Sequence, residues 1–549
     1  TEECSAPADF AARTSSTGKN GPEHGIKKSF KLGPVDLSED TKRPIIAQGL
    51  SCTFVGASNP HANPSSVQSK IRGVKQRVGG SVPTPNRATL SNLRRFTRRL
   101  LRRHLTPLCI EDVPSFDAWV QSSNYPAWKV VELRIVYDEL QTILLPFKNR
   151  KIKLIQAFQK IERYNKFKEP RGIYARSDYF KVLSGPLFKA IETKLYKFST
   201  SVNGTFAEEP DGVHTETFVK HIPVSDRAKF VLNKLDGPGR TYMVTDYTAF
   251  EKHFTKEIMQ HIEFELYSYM CGTVPELKLL MEEIMEVLSG KNEIHFREFK
   301  LWLEACRMSG EMNTSLGNGF SNMVIFFFIH DRLGNTCVDG VFEGDDGLGC
   351  FIGTPPTRED YAELGFTCKI DIINCVSLGS FCGLIFDEEN FVSITDPMKA
   401  LLNVGWSNYY YTNCNRKARL KLLQSKLLSM AHQYRGVPIL QEFSYKMLSL
   451  MNPRQKANHS HLNRYWQQQL IIEMQKGLPP KIPVSLQTRL LMQENFGISV
   501  EEQLILEKFF NSFTELPETY THDIMIAHAT EDQKNFFCKF TSNSRHLLF

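Results

Sequence analysis

An α+β fold follows from three features of the sequence. Short runs of β-forming residues at 242–245, 337–342 and 348–352 are bounded by turn residues. Apolar residues recur at helical spacing over 130–144, 256–269 and 275–288, between and before those runs. Beyond about residue 395 the pattern is almost wholly helical, as over 416–433 and 440–450.

Taken in order, residues 1 to about 90 are rich in Ser, Gly, Pro, Asn and Lys and show little sustained period. They are expected to be extended or loosely packed. A helix is expected around 93–104, where Arg94, Arg95, Arg98, Arg99, Arg102 and Arg103 share one face. Leu93, Phe96, Leu100 and Leu101 lie largely on the other, and Pro107 stops it. A solvated face on a docked helix and a phosphate- or membrane-surface helix both fit that pattern. The organisation is therefore an N-terminal extension over 1–129, a mixed α+β core over 130–395 and a mainly helical part over 396–549.

At 549 residues the chain is too long for one core. With 41% hydrophobic and 23% charged residues it has the composition of an ordinary globular protein. The net charge of +7 is a modest excess that points weakly to a polyanionic partner. Twelve cysteines without a C-x-x-C pair argue for buried free thiols over zinc or a disulfide framework. The longest apolar run, 323–329, is too short to span a bilayer, and no signal peptide is visible. The chain starts at Thr1, so either an initiator was removed or this is the downstream part of a longer product.

The strongest local signal is Val341-Phe342-Glu343-Gly344-Asp345-Asp346-Gly347-Leu348, which reads as a hairpin tip. Adjacent carboxylates at a tight tip repel each other, and a bound Mg²⁺ would offset that. The tripeptide alone also fits an ordinary polar turn. A second carboxylate source, Asp246, ends an expected strand, with Glu251 shortly after it. Two-metal phosphoryl transfer needs carboxylates that converge from separate segments, which these could supply. Between them, Ser309, Gly310, Thr314 and Asn318 form a small polar loop leading into an apolar helix. Thr314 and Asn318 share a face that could meet a ribose 2′-hydroxyl, or could simply begin a helix. Lys166, Lys168, Arg171 and Arg176 cluster around an extended Pro-Arg stretch that suits a triphosphate channel.

The ordered set D-x4-E, S-G-x3-T-x3-N and G-D-D resembles the A, B and C motifs of viral RNA-dependent RNA polymerases, most closely those of tombusvirus-like and noda-like positive-strand viruses. The 166–176 segment resembles their basic fingers motif. Leu364-Gly365-Phe366-Thr367-Cys368-Lys369 resembles the D motif, and Phe381-Cys382-Gly383 the primer-gripping E motif. The resemblance covers roughly residues 130–400.

It implies a right-hand polymerase, with fingers and an antiparallel-sheet palm over 130–395 and a helical thumb over 396–549. It implies RNA synthesis from nucleoside triphosphates on an RNA template, for viral genome replication. Asp246, Asp345 and Asp346 would hold two Mg²⁺ or Mn²⁺ ions, with Asp345 the main GDD ligand. Lys369 would give a proton to the leaving pyrophosphate. Glu251, which stands where the family often has Asp, would check the ribose with Ser309, Gly310, Thr314 and Asn318. Expected partners are template and product RNA, nucleotides, a membrane-anchored viral replication protein and a second copy of the chain. The expected location is host cytoplasm at membrane-associated replication complexes. A reverse transcriptase and a non-enzymatic RNA-binding structural protein are the competing classes.

Overall fold

A computed structural model describes residues 25–26, 30–36, 47–63, 66–123, 125–143, 146–199, 216–220, 222–407, 411, 413–452 and 477–542. Among the described residues, nine strands make up the two larger sheets. In chain order they are β1 (Phe30–Val35), β2 (Ile155–Gln159), β3 (Gly172–Arg176), β4 (Thr241–Tyr247), β5 (Lys291–His295), β6 (Phe299–Glu304), β7 (Thr336–Glu343), β8 (Asp346–Ile352) and β9 (Cys368–Ile373). Five helices matter most for the site: α1 (Val67–Arg77), α2 (Arg87–His104), α3 (Val224–Leu235), α4 (Glu263–Cys271) and α5 (Thr314–Arg332). The expected α+β class holds.

The central sheet is antiparallel, in the order β7-β8-β4-β9. Its two faces are apolar for different reasons. Met243, Phe342 and Phe351 point into a core with Phe326 and Ile329 of α5. Tyr242, Val341, Leu348 and Cys350 point the other way, against Ala228, Val231 and Leu235 of α3 and against Phe381. Helix α5 is buried nearly all round, which explains its continuous apolar sequence. The other sheet, β1-β6-β5-β2-β3, is mixed, with β2 and β5 parallel. The loop between β2 and β3 carries Lys166, Lys168 and Arg171.

Helix α2 forms where the arginine run predicts one, capped by the Asn86 side chain. Arg94 and Arg98 both bind Glu265 of α4, so part of the basic face docks the helix. The helix expected over 256–269 is broken at Ile262 into Lys256–His261 and Glu263–Cys271.

The loose packing expected up to about residue 90 does not hold for the described residues from 47 onward. Thr53–Phe54 pairs in parallel with Thr519–Tyr520. Leu50, Cys52, Phe54 and Ala57 are buried among the C-terminal helices with Leu423, Phe443 and Phe510. Helix α1 starts at a Ser66 cap and buries Val67 and Val74. The segment lacks periodicity because its partners are long-range, and two paired residues make too short a strand to leave an alternating pattern. C-terminal helices Arg416–Gln433, Leu440–Ser449, Leu486–Phe496 and Val500–Asn511 match the helical expectation there. Among the described residues every cysteine is a free thiol, and no helix is long and apolar enough to cross a membrane.

If residues 50–57 are part of that core, Phe54→Ala destabilises the protein by about 3–5 kcal/mol, the usual cost of emptying a buried Phe site. Urea unfolding measures this, and a loss below about 1 kcal/mol would mean the segment is only draped on the surface.

Candidate active site

Strand register brings the carboxylates together. Glu343 pairs with Asp346 across the β7–β8 hairpin, leaving Gly344 and Asp345 as the turn. Gly344 has φ +64°, a conformation glycine adopts without penalty. Gly347 is paired with Thr245, so Asp346 falls beside Asp246 one step further along the same register. On its other side Asp246 is paired with Lys369 of β9. Directly opposed residues in antiparallel strands share a face. One end of the sheet therefore carries Glu343, Asp346, Asp246 and Lys369 in a row, with Asp345 at the adjoining turn.

Asp345 and Asp346 are open to solvent, yet the surrounding protein limits their hydration. That partial desolvation is the main reason both carboxyls titrate high. Glu251 adds to it at Asp345, while Arg171 and Arg77 oppose it. Asp346 is pushed up to about 6 by the same desolvation and then by Asp345, Glu343 and Asp246. Glu343 is tied to Arg227 at 3.0 Å. Lys369 is exposed and its Nζ donates to Asp371 at 2.7 Å. Among the described residues no three acidic, His or Cys side chains form a ready-made metal cage. The donor chemistry nonetheless fits a hard divalent cation: oxygen ligands crowded enough to resist ionisation and facing water.

The turn is tethered from below. Asn322 of α5 is buried, and its Nδ2 donates to the carbonyl oxygens of Gly344 at 3.3 Å and Asp346 at 3.1 Å. A Cβ on Gly347 would lie 2.9 Å from Thr245 Oγ1 and 3.2 Å from that amide, so no larger residue fits without displacing the tether.

The polar loop before α5 divides into two roles. Ser309 Oγ donates to the Gly172 carbonyl at 2.8 Å, and the Gly310 N–H donates to the Tyr174 carbonyl at 3.1 Å. The Thr314 hydroxyl sits 2.9 Å from the Met308 carbonyl and 3.0 Å from that of Glu311. These three residues shape the loop and attach it to β3. Asn318 is half-buried, and its Oδ1 accepts from Arg307 Nε at 3.0 Å. Glu251 accepts from Arg77 Nε at 2.7 Å, and its backbone carbonyl accepts from the Arg307 N–H at 3.1 Å. Arg307 is delivered inward by Ala305 at φ +45° and Cys306 at φ +137°, strained values for non-glycine residues.

The basic segment is only partly available to a ligand. Arg176 is buried, at 1% exposure, and pairs with Glu311 and Asn292, which rules out the expected triphosphate role. Alternation along β3 explains this: Tyr174 and Arg176 both point inward, and a buried guanidinium must be paired. Arg171 is half-buried and clasped by Glu162, with its charge felt at Asp345. Lys166 and Lys168 are exposed, with Lys168 Nζ 5.7 Å from the Tyr164 ring centre. Phe381, Cys382 and Gly383 form a tight turn closed by Phe381–Leu384 hydrogen bonds, with φ +53° at Cys382 and +74° at Gly383. Cys382 Sγ lies 3.7 Å from Glu343 Oε2, so this turn abuts the acidic row.

Sequence reasoning missed Arg77, Arg307 and Asn322. Only Asn322 had a readable signal, since it lies four residues after Asn318 on the same helix face.

A family model described as viral RNA dependent RNA polymerase matches residues 58–516. The RNA-directed RNA polymerase of Turnip crinkle virus is 24% identical over 446 residues, covering 78% of this chain and 53% of that protein. That of Carnation mottle virus is 25% identical over 404 residues, 69% of this chain and 49% of the relative. That of Cucumber necrosis virus is 24% identical over 356 residues, 62% and 40% respectively. The chain thus spans about half the length of the curated relatives it matches.

Charge crowding at the tip has a measurable signature. The folded Asp346 carboxyl titrates at about 6, above its ordinary 3.8, so the folded chain holds a proton the unfolded chain has released. In chelator, stability therefore falls as pH rises from about 4 to about 6. Asp346→Asn reduces that fall, by about 1 kcal/mol once solvent screening is allowed for. Urea unfolding at the two ends of this window measures it, and parallel pH slopes for the two proteins would contradict the crowding.

Proposed function

The chain belongs to the viral RNA-dependent RNA polymerase family, and from that premise we propose that it synthesises RNA on an RNA template for viral genome replication, as a member of the tombusvirus-like and noda-like group. The observation that carries this reading is the register that sets Asp246 beside Asp346, with Asp345 at the adjoining turn. In this reading the central sheet is the palm, the β2–β3 region belongs to the fingers and the C-terminal helices are the thumb.

Members of this family use divalent metal ions. Here Asp246, Asp345 and Asp346 would hold two Mg²⁺ or Mn²⁺ ions, which supply charge neutralisation at the phosphates and acidify the attacking hydroxyl. The RNA 3′-oxygen attacks the α-phosphorus, and the bond from that phosphorus to pyrophosphate breaks. Asn322 holds the Asp345 turn still while this happens, which matters because preorganised charge costs no rearrangement in the transition state. Lys166, Lys168 and Arg171 face the triphosphate, and Arg77 joins them beside Asp345. Lys369, exposed and next to Asp246, gives the pyrophosphate its proton. Glu251 and Asn318 meet the 2′-hydroxyl, while Ser309, Gly310 and Thr314 hold the loop that carries Asn318. The 381–383 turn supports the primer end. Template pairing supplies base choice. The work takes place in host cytoplasm, at membrane-associated complexes with a membrane-anchored viral replication protein.

Primed RNA, the four ribonucleotides and Mg²⁺ should give template-dependent extension that EDTA abolishes. Asp345→Asn should lower the rate by about 10³-fold or more, the scale of losing a principal electrostatic group. Extension at the wild-type rate in that variant would remove Asp345 from the chemistry. Asn318→Ala should lower the preference for ribonucleotides over deoxyribonucleotides by about tenfold, as one buried hydrogen bond to a substrate hydroxyl commands at least that. Efficient deoxynucleotide incorporation by the unaltered chain would favour a reverse transcriptase.

A further inference from the structure

Beneath the sugar-facing residues lies a buried ionic network that the chemistry above does not use. Arg307 and Glu263 are both fully buried and paired with each other. Tyr267 donates to Glu263 Oε2 at 3.1 Å, and Asn313 Nδ2 donates to the Tyr267 hydroxyl at 3.1 Å. Arg307 also stacks over Phe254, its guanidinium carbon 4.4 Å from the ring centre. Helix α5 rests directly on the pair, because a Cβ on Gly317 would run into both Glu263 and Arg307. A charge buried so completely is fixed in place by its partner.

Two of Arg307's remaining donors reach the two residues assigned to the ribose. Its backbone N–H holds the Glu251 carbonyl at 3.1 Å, and its Nε donates to Asn318 Oδ1 at 3.0 Å. The arginine guanidinium carries no acceptor. The Asn318 amide can therefore present only its oxygen to Arg307, which turns Nδ2 the other way. Among the described residues, Nδ2 has no hydrogen-bond partner. A 2′-hydroxyl both donates and accepts. Nδ2 suits its oxygen, and the acceptor-only carboxylate of Glu251 suits its proton. With the amide reversed, two acceptors would face that hydroxyl and the distinction between ribose and deoxyribose would fade.

We propose that Arg307 is a positioning residue for ribonucleotide selection: it locks the Asn318 amide with its nitrogen toward the sugar. This rests on the polymerase reading. Arg307→Lys keeps a positive charge for Glu263 but cannot supply the second, rigidly placed donor at Nε. The paired change Arg307→Met with Glu263→Leu removes both charges together, a replacement that buried ion pairs often tolerate.

The readout is single-nucleotide extension by the full chain with ATP, 2′-deoxyATP and 3′-deoxyATP, each compared within one preparation so that the active fraction cancels. In both Arg307 proteins the ATP to 2′-deoxyATP ratio should fall about tenfold, matching Asn318→Ala. Adding Arg307→Lys to Asn318→Ala should bring no further loss. The ATP to 3′-deoxyATP ratio should stay put, because that analogue keeps the 2′-hydroxyl. A wild-type 2′-deoxy ratio in either Arg307 protein, alongside a reduced one in Asn318→Ala, overturns the role of Arg307 and leaves the polymerase standing. Equal loss against both analogues also overturns it, since that marks general damage to the site. No extension by the unaltered chain overturns the polymerase reading and this proposal together.

Discussion

The register between β4 and β8 is the constraint on which the site depends. A slip of one residue would turn Asp246 to the opposite face, where Met243 and Tyr247 pack against the helices. It would also carry the acidic row out of line with Lys369. The apolar residues on both faces of the sheet hold that register. Tyr242 and Leu348 answer to α3, while Met243 and Phe351 answer to the core around α5. A row of like charges at the end of a sheet is unfavourable by itself, and burial on two faces holds the strands in place against it.

Around the acidic row, positive charge is positioned by second carboxylates. Arg171 is held by Glu162, Arg77 by Glu251, and Glu343 is itself answered by Arg227. The Arg171 and Arg77 pairs cost less to rearrange than fully buried ones because water still reaches them. The deeper pairs, Arg176 with Glu311 and Arg307 with Glu263, have no such freedom and act as fixed supports for the loop before α5. One gradient thus runs from rigid ionic contacts under the loop to adjustable ones at its surface.

Much of this was legible in the residues because the motifs are contiguous. The Gly-Asp-Asp turn announces itself between β-forming neighbours, and Thr314 and Asn318 declare a shared helix face. The helical C-terminal pattern was equally clear. What could not be read was pairing across distance. Nothing near Arg77 in the chain points to Glu251, and nothing near Glu263 points to Arg307. Arg176 was misjudged although the signal was present, since period-two alternation from Tyr174 turns it inward. The packing of residues 47–63 was hidden because short extended segments bury side chains without a repeating pattern.

The pairing of Thr53–Phe54 with Thr519–Tyr520 has a consequence for synthesis on the ribosome. The earlier strand emerges hundreds of residues before its partner exists, so its apolar side chains lack these partners while the intervening chain is made. Contacts of such large sequence separation form slowly and late. The helical C-terminal unit is therefore completed only once Thr519–Tyr520 has been made. Until then its nascent surface is a place for chaperones to bind or for aggregation to begin.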